Sequence, residues 1–219
     1  MKFYFDIETE ALPESDILKL MPDFAAGGNV KDPAKIAAQI AEKKADWLDK
    51  AALKAITAKI VAVTTAMGDD EPVMATGDEQ TLIAGIVGMI KGVIDQNGQA
   101  YAWNGSGFDL PFICQRAAVH DIQAFRDLTV NVRGKFYWHE SLIDPKLVWS
   151  NYSPDHTGTS LKSVALALGV GEKTGSGKDF AAMLKTNPDE AKRLLNLAQH
   201  DVNERWKILK SMAAEGSTE

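Results

Sequence analysis

The stretch that decides the fold is Phe3-Tyr4-Phe5-Asp6-Ile7-Glu8-Thr9. Its apolar side chains recur at every second position, which predicts a β-strand over residues 2–8 with one buried face. Asp6 and Glu8 are two residues apart, so both carboxylates point to the same side of that strand. Like charges this close repel unless a cation lies between them, and carboxylate oxygens are ligands that Mg²⁺ and Mn²⁺ prefer. The spacing also fits an amphipathic strand with one solvated face.

A second polar stretch follows a later strand. It is Trp103-Asn104-Gly105-Ser106-Gly107-Phe108-Asp109-Leu110-Pro111. A short apolar strand over residues 100–103 leads into a glycine-rich turn, and a helix over residues 109–119 begins at an acid. Taken singly, Asp109 also fits a helix cap, and Asn104 also fits an ordinary turn residue.

A third acidic position, Asp201, falls in a helix near the carboxyl terminus. Residues 187–190 predict the start of that helix, with Pro188 at its first position, and it should run to about residue 213. Asp201 lies one turn beyond Leu197, beside the apolar face of the helix. A charge there is costly unless it is paired or bound to a metal. A rim aspartate bonded to Lys or Arg is the simpler alternative.

The remaining elements alternate between strands and helices, which indicates an α/β fold. A buried strand over residues 60–65 should pair with residues 73–76 across a turn at 68–70. Residues 9–31 show no regular pattern. Helices are predicted over 33–54 with Asp32 as N-cap, from about 78, within 142–149 and from Ser160 to Gly169.

Composition narrows the class of protein. The chain has 219 residues and a formal net charge of −6, which argues against a generally basic nucleic-acid binder but permits an enzyme that recruits cations locally. One domain over residues 1–219 is expected, with a frayed tail at 214–219. The single cysteine, Cys114, excludes an intramolecular disulfide and is expected to be a core residue in a cytoplasmic protein. The longest apolar stretch is too interrupted to span a membrane.

Two further patterns carry less weight. Residues 169–178 invite comparison with a phosphate-binding loop, but Glu172 and Asp179 occupy positions that such a loop reserves for Gly and Ser or Thr. A second cluster mixes cations with aromatic rings, as a groove for a single nucleic-acid strand would, and an exposed surface with half-buried rings explains it equally well. Its members are Arg126, Arg133, Lys135, Phe136, Tyr137 and Trp138.

Together, the acidic motifs resemble a known family. In order and context, Asp6-x-Glu8, Asn104-x₃-Phe108-Asp109 and Asp201 resemble the motifs of the DEDD-type 3′–5′ exonucleases, most of all the proofreading exonuclease of family B DNA polymerases and its stand-alone relatives. Residues 142–144 and 160–169 are similar to the segment between the second and third motifs. Residues 9–56 match worst and are interpreted as an insertion. The resemblance implies a ribonuclease H-like fold, with a mixed central β-sheet flanked by helices on both faces.

The resemblance also implies a mechanism. Asp6, Glu8, Asp109 and Asp201 would hold two divalent ions, Mg²⁺ or Mn²⁺, about 3.5–4 Å apart. One ion would activate a water, and the other would stabilise the leaving 3′ oxygen. The implied activity is hydrolysis of phosphodiester bonds at the 3′ end of single-stranded DNA, or RNA, with release of nucleoside monophosphates.

Two further residues receive roles from the resemblance. Asn104 and Phe108 would position the terminal nucleotide, Phe108 by stacking or wedging at the base. A nuclease domain that serves a replication or repair partner is a variant of the same interpretation.

One departure from the family pattern concerns the general base. The family places a Tyr four residues, or a His five residues, before the last Asp, and Leu197 and Asn196 occupy those positions here. Tyr152 and His156, in a polar loop, are the alternative candidates for this role. The rival interpretation is a non-catalytic module that binds nucleic acid and retains the exonuclease fold.

Overall fold

A mixed five-stranded β-sheet forms the centre of the molecule, in the computed structural model that describes residues 1–68, 70, 72–150, 152–153 and 160–169. The strand order is β3-β2-β1-β4-β7, and β5 and β6 form a separate hairpin. The strands are β1 (Lys2–Ala11), β2 (Ala58–Met67), β3 (Val73–Thr76), β4 (Gln99–Tyr101), β5 (Thr129–Val132), β6 (Lys135–Trp138) and β7 (Leu142–Ile143). Strands β3, β2 and β1 are antiparallel, whereas β1, β4 and β7 are parallel.

Helices flank this sheet, as expected of an α/β fold. They are α1 (Glu14–Lys19), α2 (Pro33–Asp49), α3 (Glu79–Asp95), α4 (Asp109–Val119), α5 (Ala124–Leu128), α6 (Pro145–Trp149) and α7 (Leu161–Leu168), with a short 3₁₀ turn at Ala51–Leu53. Among the described residues, no helix combines the length and the apolar character needed to cross a lipid bilayer.

The two faces of the sheet bury different side chains. Phe3, Phe5 and Ile7 of β1 point to the main core, which α3 and α4 cover. Tyr4 points to the other face, where it packs with Tyr101 at a ring distance of 5.3 Å. Farther along that face, Trp103 packs against Val164 and Ala165 of α7. The predicted mixed sheet with flanking helices is therefore confirmed.

Several predicted elements have different bounds in the structure. β1 continues to Ala11 because its pairing with β2 extends from Thr9↔Ile60 to Ala11↔Ala58, so residues 9–11 are not irregular. α1 lies within the stretch that showed no regular pattern. α2 begins at Pro33 with Asp32 as its cap, as predicted, but ends at Asp49. Whether residues 9–56 are an insertion stays a prediction.

A buried ion-pair network ties the sheet to α3 and α4. Glu79, at the start of α3, accepts hydrogen bonds from Arg116 Nη2 at 2.6 Å and Nε at 2.8 Å, and from the Ile60 N–H at 2.7 Å. His120 Nε2 lies 2.8 Å from the same carboxylate. Burial raises the pKa of Glu79, but hydrogen bonds from Arg116, His120 and Ile60 outweigh it, so the pKa lies below its usual range. The network fixes the position of α4 relative to β2.

Cys114 lies on α4 and faces the main core, as the sequence predicts. Burial raises the pKa of its thiol to about 12. The thiol therefore stays protonated at neutral pH and acts as a small apolar side chain.

The hairpin of β5 and β6 is an element that the sequence analysis did not predict. Arg133 and Gly134 form its two-residue turn with φ of 53° and 82°, the left-handed backbone that favours Gly in the tight turns of hairpins. Val130 and Tyr137 pair across the hairpin and are exposed, whereas Trp138 packs on the main core. The predicted cluster of cations and aromatic rings thus lies mostly on an exposed ribbon.

Candidate active site

The polar residues singled out in the sequence lie where the parallel strands end. β1, β4 and β7 run in the same direction, so their carboxyl ends meet at one edge of the sheet. β4 is short, and its last pair with β1 is Tyr101 with Tyr4. β1 continues beyond that pair, and the turn after β4 therefore packs beside Asp6 and Ile7. Open α/β sheets bind ligands at such an edge.

Asp6 and Glu8 occupy the central strand on the face opposite the main core. Both are partly exposed. Phe5, which precedes Asp6, and Ile7, which separates Asp6 from Glu8, are buried. The register of β1 against β2 shifts between Glu8 and Thr9, and Val61 is the extra residue on β2. A bulge of this kind bends the strand and re-aims the neighbouring side chain.

Asp109 is the first residue of α4, and its side chain is 2% exposed. Its carboxylate Oδ1 accepts a hydrogen bond from the Ile7 N–H at 3.2 Å. The N-cap position belongs to Phe108, whose side chain makes no capping hydrogen bond. The carboxylate of Asp109 therefore does more than a simple cap would, because it accepts hydrogen bonds from the first strand as well as from the first N–H of its own helix.

The electrostatic environment of Asp109 is unfavourable for a lone charge. Burial raises the pKa of Asp109 well above its usual range, and the charge of Asp6 and a side-chain contact with Asp6 raise it further. Hydrogen bonds from the Ile7 N–H and from the N–H of Asp109 itself lower the pKa, but burial and the charge of Asp6 outweigh them. The structure thus brings the carboxyl groups of Asp6 and Asp109 into direct contact, so that a charge on one disfavours a charge on the other.

A divalent cation fits this donor set. Two carboxylates in contact repel each other, and an ion between them would stabilise both charged forms. Within the described residues no three His, Cys, Asp or Glu side chains are grouped closely enough to hold a metal ion. Asp6, Glu8 and Asp109 are the described members of the predicted ligand set, and the structure brings Asp6 and Asp109 into contact. Asp201 lies outside the described residues.

Asn104 lies in a tightly restricted turn. Its φ is 60°, in the left-handed region that Asn tolerates better than most residues. A Cβ at Gly105 would lie 2.6 Å from the Cβ of Ala102, so only Gly fits there without rearrangement. Phe108, which ends the turn, is partly buried and packs on Phe112 at a ring distance of 5.4 Å.

Asp144 is a site residue that the sequence analysis missed as such. It follows β7, caps α6 and is 8% exposed. Its carboxylate accepts hydrogen bonds from the N–H groups of Asn104 at 2.9 Å and Ser106 at 3.0 Å, and from the Ser106 hydroxyl. Asp144 followed by Pro145 predicts a helix start with Asp144 as its cap. No local pattern predicts that the Asp144 carboxylate also binds the turn after β4.

The candidates for the general base are not resolved by the described residues. Tyr152 is 70% exposed, and its N–H donates to the Leu147 carbonyl at 2.8 Å. His156 lies outside the described residues, as do Asn196 and Leu197. The assignment of a base therefore stays a prediction.

Comparison with known proteins identifies the family. The family model for a predicted 3′–5′ exonuclease related to the exonuclease domain of PolB matches residues 46–217, which is more than half of the chain. The chain belongs to this family. The matched range begins after β1, so Asp6 and Glu8 lie outside it. No curated protein matches the chain.

The exonuclease-related fold is also found in a solved structure. The family B DNA polymerase from the hyperthermophilic archaeon Pyrobaculum calidifontis matches with a TM-score of 0.54 and 16% sequence identity. The match covers 97% of this chain but only 24% of the polymerase chain. It supports the fold of this PolB-like exonuclease domain, whose relatives generally use divalent metals.

Proposed function

We propose that this chain is a metal-dependent 3′–5′ exonuclease that hydrolyses the terminal phosphodiester bond of a single nucleic-acid strand and releases nucleoside monophosphates. The observation that carries the proposal is the buried Asp109 carboxylate, held against Asp6 by the Ile7 N–H in a member of an exonuclease-related family. The pairing of the buried Asp109 with the partly exposed Asp6 does not stabilise the fold by itself, because the desolvation of Asp109 and its repulsion from Asp6 both cost free energy.

Divalent ions would be held by Asp6, Glu8 and Asp109, with Asp201 as the fourth ligand. Mg²⁺ or Mn²⁺ bound there would supply an activated water and would offset the charge that develops on the phosphate oxygens. The Ile7 N–H holds Asp109 in place, so this ligand is positioned before any ion binds. Such positioning lowers the reorganisation that binding and catalysis require.

The substrate class is inferred from the turn that precedes Asp109 and from the exposed hairpin. Asn104 offers an amide, and Phe108 offers a partly buried ring, for the terminal nucleotide. The β5–β6 hairpin adds an exposed ribbon with Arg133, Lys135 and Tyr137, whose cations and ring suit a polyanion with stacking bases.

The test is hydrolysis of a labelled strand. The purified chain is incubated with 5′-labelled single-stranded DNA and RNA in Mg²⁺ or Mn²⁺, and products are resolved at single-nucleotide length. The proposal expects shortening from the 3′ end, one nucleotide at a time, and no cleavage of a circular strand. Folded protein that leaves both strands intact in both metals would overturn it, and cleavage of the circle would replace it with an endonuclease.

A matched set of variants localises the activity. Asp6→Asn and Asp109→Asn should each reduce the rate by about 10³-fold, because each removes a negative ligand of a catalytic ion. Asp95→Asn is the control, since Asp95 is an exposed acid that pairs with Lys91 on α3. If Asp109→Asn retained the wild-type rate, the site would lie elsewhere.

A non-catalytic nucleic-acid-binding module is the second candidate, and a specific feature favours it. Asn196 and Leu197 replace the Tyr or His that the resemblance leads one to expect before Asp201. A general base typically contributes about 10²–10⁴-fold, so its loss could abolish measurable turnover. This candidate predicts strand binding without product, even after long incubation in Mn²⁺.

A further inference from the structure

The turn that carries Asn104 is fixed by a neighbour from another strand. Asp144 divides its two carboxylate oxygens between two sets of donors: Oδ1 accepts from the N–H groups of Asn104 and Lys146, and Oδ2 accepts from Ser106. Hydrogen bonds to a charged acceptor are the stronger kind, and Asp144 is buried. One side chain therefore ties the turn after β4 to the start of α6.

The same helix start also fixes the side chain of Asn104. Lys146 Nζ lies 3.0 Å from Asn104 Oδ1. An ammonium group can only donate, so the atom that faces it must be the amide oxygen and not the nitrogen. The other end of the amide, Nδ2, is then the end that Asn104 can offer to a ligand, and it carries two N–H donors.

We propose that Asp144 and Lys146 are positioning residues, and that together they present the Asn104 amide as a hydrogen-bond donor to an oxygen of the 3′-terminal nucleotide. Asp144 sets the backbone of Asn104, and Lys146 sets the orientation of its amide. The inference rests on the proposed function for the identity of the ligand, but the geometry of the Asp144–Lys146–Asn104 unit is independent of catalysis.

A binding experiment without metal tests the role of Lys146. Affinity of the folded chain for a fluorescent single strand with a 3′-hydroxyl end is measured by anisotropy in EDTA. The variants are Lys146→Met, Asn104→Ala and the double substitution, and Lys91→Met on α3 is the matched control. If Lys146 acts through Asn104, each single variant weakens binding by about tenfold, and the double variant is no weaker than the singles.

The alternative outcomes are distinct. Effects that multiply to about 100-fold in the double variant would overturn the proposal, because Lys146 would then act as an independent charge. Equal affinity of Lys146→Met and wild type would overturn it as well. Lys146→Arg, which keeps donors only, should restore most of the affinity.

Asp144 is tested by the separation of kcat from KM. Asp144→Asn replaces one acceptor oxygen by a donor group, so at least one of the N–H groups it holds loses its partner. We expect KM to rise by about tenfold with a smaller change in kcat, whereas Ser106→Ala, which removes only the hydroxyl, should change KM less than threefold. An unchanged KM in folded Asp144→Asn would overturn the role of Asp144.

The experiment separates this inference from the proposed function. Coupled binding effects in a chain that never cleaves would retain the positioning unit and reject the exonuclease. Cleavage by wild type with independent binding effects would retain the exonuclease and reject the unit. A wild-type chain that binds no strand in EDTA would overturn the positioning unit and leave the exonuclease to the cleavage assay.

Discussion

Two buried acids, Glu79 and Asp109, show opposite solutions to the same physical problem. Glu79 has a side chain that is 10% exposed and receives hydrogen bonds from Arg116, and its pKa lies below the usual range. Asp109 is more deeply buried, at 2% exposed, but its charged neighbour is Asp6, and its pKa lies well above the usual range. Hydrogen bonds from other groups of the chain stabilise the charged form of Glu79, whereas the neighbouring Asp6 destabilises the charged form of Asp109.

This difference separates a carboxylate that other groups of the chain stabilise from one that a neighbouring carboxylate destabilises. Glu79 joins β2, α3 and α4 through groups that are all part of the chain, so its network contributes to stability in any solution near neutral pH. In the Asp6–Asp109 pair, burial and the like charge of Asp6 both raise the pKa of Asp109, so its charged form costs free energy in the chain alone. Burial alone therefore does not show whether the pKa of an acid is raised or lowered, because the charge of the neighbouring groups decides the direction.

The largest expected effect is the loss of stability when Glu79 loses its partner Arg116. Arg116→Met leaves the Glu79 carboxylate buried without its guanidinium, and the Ala55 carbonyl loses the bond from Arg116 Nη1. We expect the free energy of unfolding in urea at pH 7 to fall by about 3–5 kcal/mol. Lys91→Met removes the exposed partner of Asp95 and should cost less than about 0.5 kcal/mol. Equal losses in the two variants would contradict the importance of the network.

The next effect concerns the uncompensated acid. Mg²⁺ or Mn²⁺ at 100 times its dissociation constant should stabilise the wild-type chain by about 2.7 kcal/mol, because only the folded state forms the site. Asp109→Asn should abolish most of this gain, and Asp95→Asn should leave it intact. Thermal unfolding with and without the metal measures the difference. A gain that persists in Asp109→Asn would place the metal elsewhere.

A smaller effect should appear without metal. Asp109→Asn removes the repulsion from Asp6, and the amide oxygen can still accept from the Ile7 N–H. In EDTA at pH 7, the substitution should raise the free energy of unfolding by about 1 kcal/mol. Asp95→Asn supplies the comparison for a simple change in net charge. Destabilisation by Asp109→Asn would mean that the buried charge is compensated within the chain.

The smallest effect is a pH dependence that distinguishes Glu79. Because its pKa is lower in the folded chain than in the unfolded one, its stabilisation is complete above the ordinary Glu pKa of about 4.3 and is lost as pH falls through the folded value. The stability advantage of wild type over Glu79→Gln should therefore be constant from pH 6 to 7 and shrink below about pH 4. Urea titrations at each pH measure it, and an advantage that grew in acid would refute the sign.

Local sequence predicted much of the fold. The alternation of Phe3, Phe5 and Ile7 defined the core face of β1, and Asp32-Pro33 defined the start of α2. The hairpin of β5 and β6 was missed because its exposed strands carry no alternation of buried and solvated side chains. The extension of β1 to Ala11 was missed because pairing with β2, and not the local pattern, keeps those residues extended.

The candidate site likewise has features that the local sequence predicts and features that depend on tertiary contacts. The sequence by itself determined the family resemblance and the spacing of Asp6 and Glu8, since a strand places alternate side chains on one face whatever its neighbours are. Only the tertiary structure decided that Asp109 binds the Ile7 N–H of the first strand, and that Asp144 holds the Asn104 turn. These contacts join residues far apart in the chain, and they form because parallel strands end at one edge, which no local pattern encodes.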